Sequence, residues 1–114
     1  GARKQVFSYL LNWNSPAQGG RLRSPHGVEV PMVFDMVTEA YATVGERLAN
    51  AQQLADTMSS YWANFARNGD PNGPCLDNWP AYKTDRRATM VFDTQSSVQD
   101  NPLGEEQTLI ARYA

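Results

Sequence analysis

Apolar side chains along this sequence fall into clusters whose spacing changes from one to the next. Residues 6–13 are aromatic and β-branched at their start and nearly continuously apolar. That is the pattern of a strand covered on both faces, inside a parallel or mixed sheet. A turn-rich connection follows over 14–23, marked by Pro16 and the pair Gly19-Gly20. Residues 30–37 form a second apolar run with Pro31 near its start. Its length fits a short strand or a short helix, and periodicity does not separate the two. Residues 38–46 are mixed and read as loop or a short helical turn.

The clearest element spans 48–68. Ala51, Leu54, Ala55, Met58, Trp62, Phe65 and Ala66 recur at three- and four-residue spacing and define one face of an α-helix. Trp62 and Phe65 are expected as core anchors, since burying such a side chain is worth about 1.5–3 kcal/mol. Asn68-Gly69 ends the helix, with Gly69 at the left-handed cap position and Pro71 blocking continuation. A Gly/Pro/Asn/Asp loop covers 70–80, a strand is predicted over 89–94, and Ser96-Ser97 turns the chain toward Val98. Pro102 opens a last amphipathic helix over 103–113. Its apolar positions are Leu103, Leu109, Ile110 and Tyr113, and Glu105 and Glu106 fall near its positive end. There are no internal repeats. Strand, short element, long helix, strand and helix in that order predict an α/β or α+β fold.

Composition adds limits. The 114 residues, 41% hydrophobic and 19% charged, suit one ordinary globular domain and not a disordered chain. A net charge of -2 with scattered Lys and Arg gives no electrostatic footprint for nucleic acid or an anionic membrane. No apolar run approaches the roughly 18 residues of a membrane span, and no signal peptide is visible. Cys75 is the only cysteine, so no intramolecular disulfide forms. One Cys and one His do not make an ordinary zinc site, and neither metal nor cofactor is expected. The single cysteine and short loops favour a cytoplasmic bacterial parent. The start, Gly1-Ala2-Arg3-Lys4, drops directly into a core strand, which predicts a piece of something longer.

The side chain best suited to proton transfer near neutrality is His26, the only histidine. It lies between chain-bending Pro25 and Gly27 and just ahead of the apolar run. On composition alone, a lone loop histidine is more often an ordinary surface residue. No nucleophile motif accompanies it. None of Ser8, Ser15, Ser24, Ser59, Ser60, Ser96 and Ser97 lies in a Gly-x-Ser-x-Gly elbow, and Gly19-Gly20 is too short for an oxyanion segment.

Three segments, taken in order, carry a family resemblance. They are His26-Gly27-Val28-Glu29-Val30-Pro31-Met32-Val33-Phe34, then the run from Met58 to Asn72 containing Tyr61-Trp62-Ala63-Asn64-Phe65-Ala66, and then Trp79-Pro80-Ala81-Tyr82. Together they resemble the C-terminal end of type B carboxylesterases, the cholinesterase and para-nitrobenzyl esterase group of α/β-hydrolases. The Tyr-Trp-x-Asn-Phe-Ala-x-x-Gly-Asp-Pro-Asn run before Trp-Pro-x-Tyr is the most specific part. The resemblance spans nearly the whole chain.

The resemblance implies a single partial domain, residues 1–114, from the C-terminal part of an α/β-hydrolase. His26 would be the general base that closes a Ser…Glu…His order, accepting the serine proton and passing it to the leaving alcohol. Gly27 would let the backbone turn tightly beside it. Glu29 matches the family's acidic position and would be a hydrogen-bonding group behind the histidine, not the triad acid. Met32 and Phe34 would be the pocket candidates. Asp35 stands where the family commonly has glycine. Serine, oxyanion hole and acid would lie outside this sequence.

The implied parent is a serine carboxylesterase acting on small-molecule esters through an acyl-enzyme. The segment alone is expected to be inactive, and to form a homodimer or swapped assembly through its uncovered apolar edges. The competing expectation is a non-catalytic, cholinesterase-like adhesion domain, against which the histidine argues.

Overall fold

The computed structural model describes residues 4–46 and 49–113. A three-stranded sheet is formed by β1 (Ser8–Leu11), β2 (Ala88–Phe92) and β3 (Ser97–Asp100), in the order β1-β2-β3. β1 runs parallel to β2, with Ser8 opposite Thr89 and Leu11 opposite Phe92. β2 and β3 form an antiparallel hairpin. The parallel pair requires a long crossover. The chain supplies it through α1 (Glu29–Val33), α2 (Tyr41–Val44) and the long α3 (Ala49–Asn68). A final helix, α4 (Gly104–Ala111), follows the hairpin. The architecture is α/β, one of the two classes the element order allows and the one the family resemblance implies.

The ambiguous apolar run resolves as helix α1, not strand. Pro31 is tolerated there because it lies in the first turn, where backbone N–H groups have no intrahelical partner. The strand expected over 6–13 is shorter, and it is only partly covered: Val6 and Tyr9 are exposed. The long helix matches its prediction, though Leu48, its expected first residue, lies outside the described residues. Its buried line is Ala51, Leu54, Ala55, Met58 and Tyr61.

Two expected anchors differ. Trp62 is half-buried against the core, and Phe65 is 47% exposed. The helical period is sound, but α3 outlasts its cover. α1 packs across α3, and by the last turns Phe65 meets the Phe7 ring edge-on just ahead of β1 while nearly half of it stays exposed. Tyr61 takes the deeper place because its hydroxyl is satisfied, donating to the Asp77 carbonyl at 2.6 Å. Burial, with the nearby Asp77 carboxylate, pushes the Tyr61 phenol above its ordinary pKa. α4 also departs from expectation. It has no buried residue, and Leu109, Ile110 and Tyr113 are exposed.

The motif Gly69-Asp70-Pro71-Asn72…Trp79-Pro80 is structural in this molecule. The Asn72 side chain accepts from the Trp79 N–H at 2.6 Å and donates to the Trp79 carbonyl at 2.8 Å, so one amide mimics a β-bridge across the loop. Its Nδ2 also donates to Asp70 Oδ1 at 2.8 Å. The two hydrogen bonds from Asn72 hold the Asp70 carboxyl below the ordinary carboxylate pKa. Asn64 donates to the Pro71 carbonyl, tying the loop back to α3. Trp79 is thereby delivered under β1, where its indole N–H donates to the Ser8 carbonyl at 3.0 Å. The Tyr82 N–H donates to the Val6 carbonyl just upstream. The whole motif braces the strand that leads to His26.

Candidate active-site segment around His26

β1 hands over to the histidine loop through alternating inward residues. Asn12 N–H still donates to the Phe92 carbonyl at 2.8 Å, and then Trp13, Ser15 and Ala17 are all buried. A tight turn at Ala17–Gly20 reverses the chain. The Ser15 N–H donates to the Arg23 carbonyl at 2.7 Å and closes that loop. The Ser24 hydroxyl reaches the Leu11 carbonyl at 3.3 Å.

His26 then sits on a turn closed by Val28 N–H to the Pro25 carbonyl, at 3.2 Å. Gly27 has φ +83, the left-handed conformation that side chains with a Cβ disfavour. A Cβ there would touch nothing within 4 Å, so the backbone conformation alone asks for glycine. Val28 and Met32 next plunge into the core.

The candidate residues separate by exposure. The His26 imidazole is exposed. Glu29 is half-buried in the first turn of α1, and no hydrogen bond joins it to His26. Met32 is fully buried, whereas Phe34 is 69% exposed at the C-terminal end of α1. Met32 thus belongs to the core and lines no open pocket, whereas Phe34 is exposed.

Asp35 stands where the family resemblance calls for glycine, and the backbone there accounts for that preference. Met36 N–H donates to the Pro31 carbonyl at 2.8 Å and Asp35 N–H to the Met32 carbonyl at 3.3 Å, the paired bonds of a Schellman cap. The residue at the turn, Asp35, has φ +54. Its carboxylate accepts from Gln52 Nε2 at 2.7 Å, which offsets part of the strain by tying the cap to α3.

The arrangement presents one imidazole at the end of a parallel strand, with both ring nitrogens free of hydrogen bonds to the described residues. It can accept and return a proton. Among the described residues, no group of three or more His, Cys, Asp or Glu could hold a metal ion, and no helix is long and apolar enough to cross a membrane. An apolar groove of about 370 Å³ lies elsewhere, lined by residues including Phe7, Tyr9, Trp62, Phe65 and Trp79.

Two features were not singled out from sequence. The Asn72–Trp79 pairing lay inside a quoted motif but carried no signal of its own. Ser15 had a faint one: it is the polar member of the alternation Trp13, Ser15, Ala17, which continues the strand's inward period.

Comparison with known proteins decides the family. A model of the carboxylesterase family matches residues 2–110. The chain belongs to the carboxylesterase family. Within that family it is 30% identical over 108 residues to the para-nitrobenzyl esterase of Bacillus subtilis (strain 168), covering 90% of this chain and 21% of that protein. It is 36% identical over 77 residues to human cocaine esterase, covering 67% of this chain and 13% of that protein.

Among solved structures, a Geobacillus stearothermophilus carboxylesterase superposes with a TM-score of 0.76 at 34% identity. That match covers 91% of this chain and 21% of the other. A para-nitrobenzyl esterase structure gives a TM-score of 0.80 at 26% identity. The carboxylesterase chain described here therefore spans about a fifth or less of the length of these curated relatives.

Proposed function

We propose that this chain is the C-terminal segment of a carboxylic-ester hydrolase and supplies the general base, His26, to a Ser-Glu-His triad completed by residues outside it. The observation that carries this reading is the position of the molecule's single histidine. It stands exposed on a glycine turn after a parallel strand, in a chain that matches the carboxylesterase family over nearly its full length. Relatives named para-nitrobenzyl esterase and cocaine esterase support a carboxylic ester as the substrate class.

The chemistry follows from the imidazole. Its neutral nitrogen accepts the serine hydroxyl proton as the serine oxygen attacks the ester carbonyl. The resulting imidazolium gives that proton to the departing alcohol, leaving an acyl-serine. Water then loses a proton to the same nitrogen, attacks the acyl group, and the serine oxygen recovers the proton as the acid departs. Gly27 sets the turn, and the exposed Phe34 faces the substrate side.

The shape of the chain supports a partial domain. Its radius of gyration is 15.4 Å, against about 13 Å for a compact domain of this length. Its accessible surface is 7993 Å², against roughly 6,200 Å² for a monomer of its mass. The excess is roughly twice the ~800 Å² that one partner contributes to a standard protein interface. In the isolated chain a second copy covers it. Sedimentation velocity is expected to show a dimer, and a stable folded monomer at high concentration contradicts this.

The catalytic reading has its own test. Alone, the chain is expected to hydrolyse para-nitrophenyl acetate no faster than free imidazole at equal concentration. Saturable turnover by the isolated chain, abolished by His26→Ala, overturns the claim that the nucleophile lies elsewhere.

A further inference from the structure

We infer that Ser15 is a positioning residue for His26, acting through a buried clasp between the histidine loop and α2. Between Ala17 and Val28 no residue of the loop is buried, and only Leu22, Pro25 and Gly27 are partly covered, so His26 rides on a ten-residue stretch, 18–27, with no core anchor of its own. What holds the near end of that stretch is Ser15, which is 1% exposed.

Its hydroxyl donates to the Thr43 carbonyl at 2.5 Å and accepts from the Ala17 N–H at 3.0 Å. Thr43 lies in the last turn of α2, where carbonyls lack intrahelical partners, so the serine caps that helix end from another segment. The Ser15 backbone N–H simultaneously holds Arg23, three residues before His26. One residue thus joins α2, the outgoing arm and the returning arm of the loop.

The opposite jaw of the clasp is Gly45. Its φ is +82, and a Cβ there would lie 3.0 Å from the Ala17 nitrogen and 3.1 Å from Pro16 Cγ. The close approach that lets the Ser15 hydroxyl reach Thr43 therefore depends on a residue without a side chain. Removing the Ser15 hydroxyl leaves the part-buried Thr43 carbonyl and the buried Ala17 N–H without that partner. The loop then loses its tie to α2 while Val28 and Met32 still anchor its far end.

The inference rests on the general-base reading for its catalytic meaning, but its test does not use ester turnover. His26 is the single histidine, so one imidazole resonance reports it without assignment ambiguity. Backbone ¹⁵N relaxation across 18–27 and His26 ¹³Cε1 relaxation are measured in the 114-residue chain, in Ser15→Ala, in Gly45→Ala and in the control Tyr61→Phe. The control removes a buried hydroxyl bond far along α3.

In the parent chain, order parameters near 0.85 are expected at Arg23 to Gly27. In both clasp variants they fall below about 0.6, and the imidazole relaxation follows. In Tyr61→Phe they hold even where the melting temperature drops as far. Unchanged relaxation in whichever clasp variants fold, or an equal change in the control, overturns the assignment. Should Ser15→Ala fail to fold, Gly45→Ala opens the same contact from the other side and decides alone. A failure of the general-base reading would leave this result untouched, and it is read separately from turnover.

Discussion

Replacing Phe92 with alanine is expected to lower the free energy of unfolding by about 3–5 kcal/mol, the range for truncating a fully buried aromatic ring. Phe92 is 0% exposed at the end of β2. Its ring centroid lies 5.5 Å from that of Trp79, 5.8 Å from Tyr61, 5.9 Å from Trp62 and 6.0 Å from Tyr9. The substitution therefore opens a cavity at the point where sheet, long helix and Trp79 loop meet. A domain of this kind has only about 5–15 kcal/mol in total, so the variant keeps little of its folded population in mild denaturant. Urea unfolding reads the effect as a fall in midpoint at unchanged slope. Phe65→Ala is the comparison: at 47% exposure its loss is expected to be about 1 kcal/mol. Equal losses at the two positions would mean that the aromatic cluster is not the centre of the core.

That contrast shows where the sequence was readable. The period of 51–66 identified the helix and its inward face, because a 3.6-residue repeat is a local property. It could not show where the covering layer stops. Phe65 belongs to the apolar stripe by spacing and to the surface by position, since only tertiary contacts decide how much of a helix is roofed. Tyr61 was passed over for a related reason. A hydroxyl is an obstacle to burial until a carbonyl such as that of Asp77 is brought to it, and that pairing spans 16 residues. The short strand β1 was legible in type but not in coverage, because an apolar run does not show which of its residues the rest of the fold reaches.

The candidate site was legible in a different way. His26 and Gly27 announced themselves through residue type, and the φ of +83 at Gly27 gives the physical need behind that glycine. Asp35 looked like a departure from pattern; the Schellman geometry shows that the backbone conformation favouring glycine persists beneath it. Ser15 was hidden because a serine beside a proline ordinarily marks a solvent-exposed turn. Only the fold reveals that its hydroxyl is buried and joins the loop to a helix nearly thirty positions away.

The second large effect concerns catalysis. Replacing the matching segment of the Bacillus subtilis para-nitrobenzyl esterase with this chain is expected to give a folded, active hybrid in which His26 is the base. Within that hybrid, His26→Ala removes the group that takes and returns the proton in both half-reactions. Comparable removals in serine hydrolases reduce turnover on the order of 10⁴- to 10⁶-fold, while binding and the oxyanion hole leave a residue of rate enhancement above water. kcat should fall with KM nearly unchanged, because an exposed imidazole on a turn contributes little to ground-state binding. The folded fraction should not change, since His26 makes no hydrogen bond to the described residues and is not part of the core.

The decisive measurement is therefore kcat for para-nitrophenyl acetate in the hybrid and in its His26→Ala variant, with circular dichroism confirming that both are folded. The account predicts saturable turnover in the hybrid and a loss of at least about 10⁴-fold in the variant, at the low end expected for loss of a triad base. A folded hybrid without turnover, or a variant that keeps a tenth or more of the hybrid's kcat, would contradict the assignment of His26 as the general base.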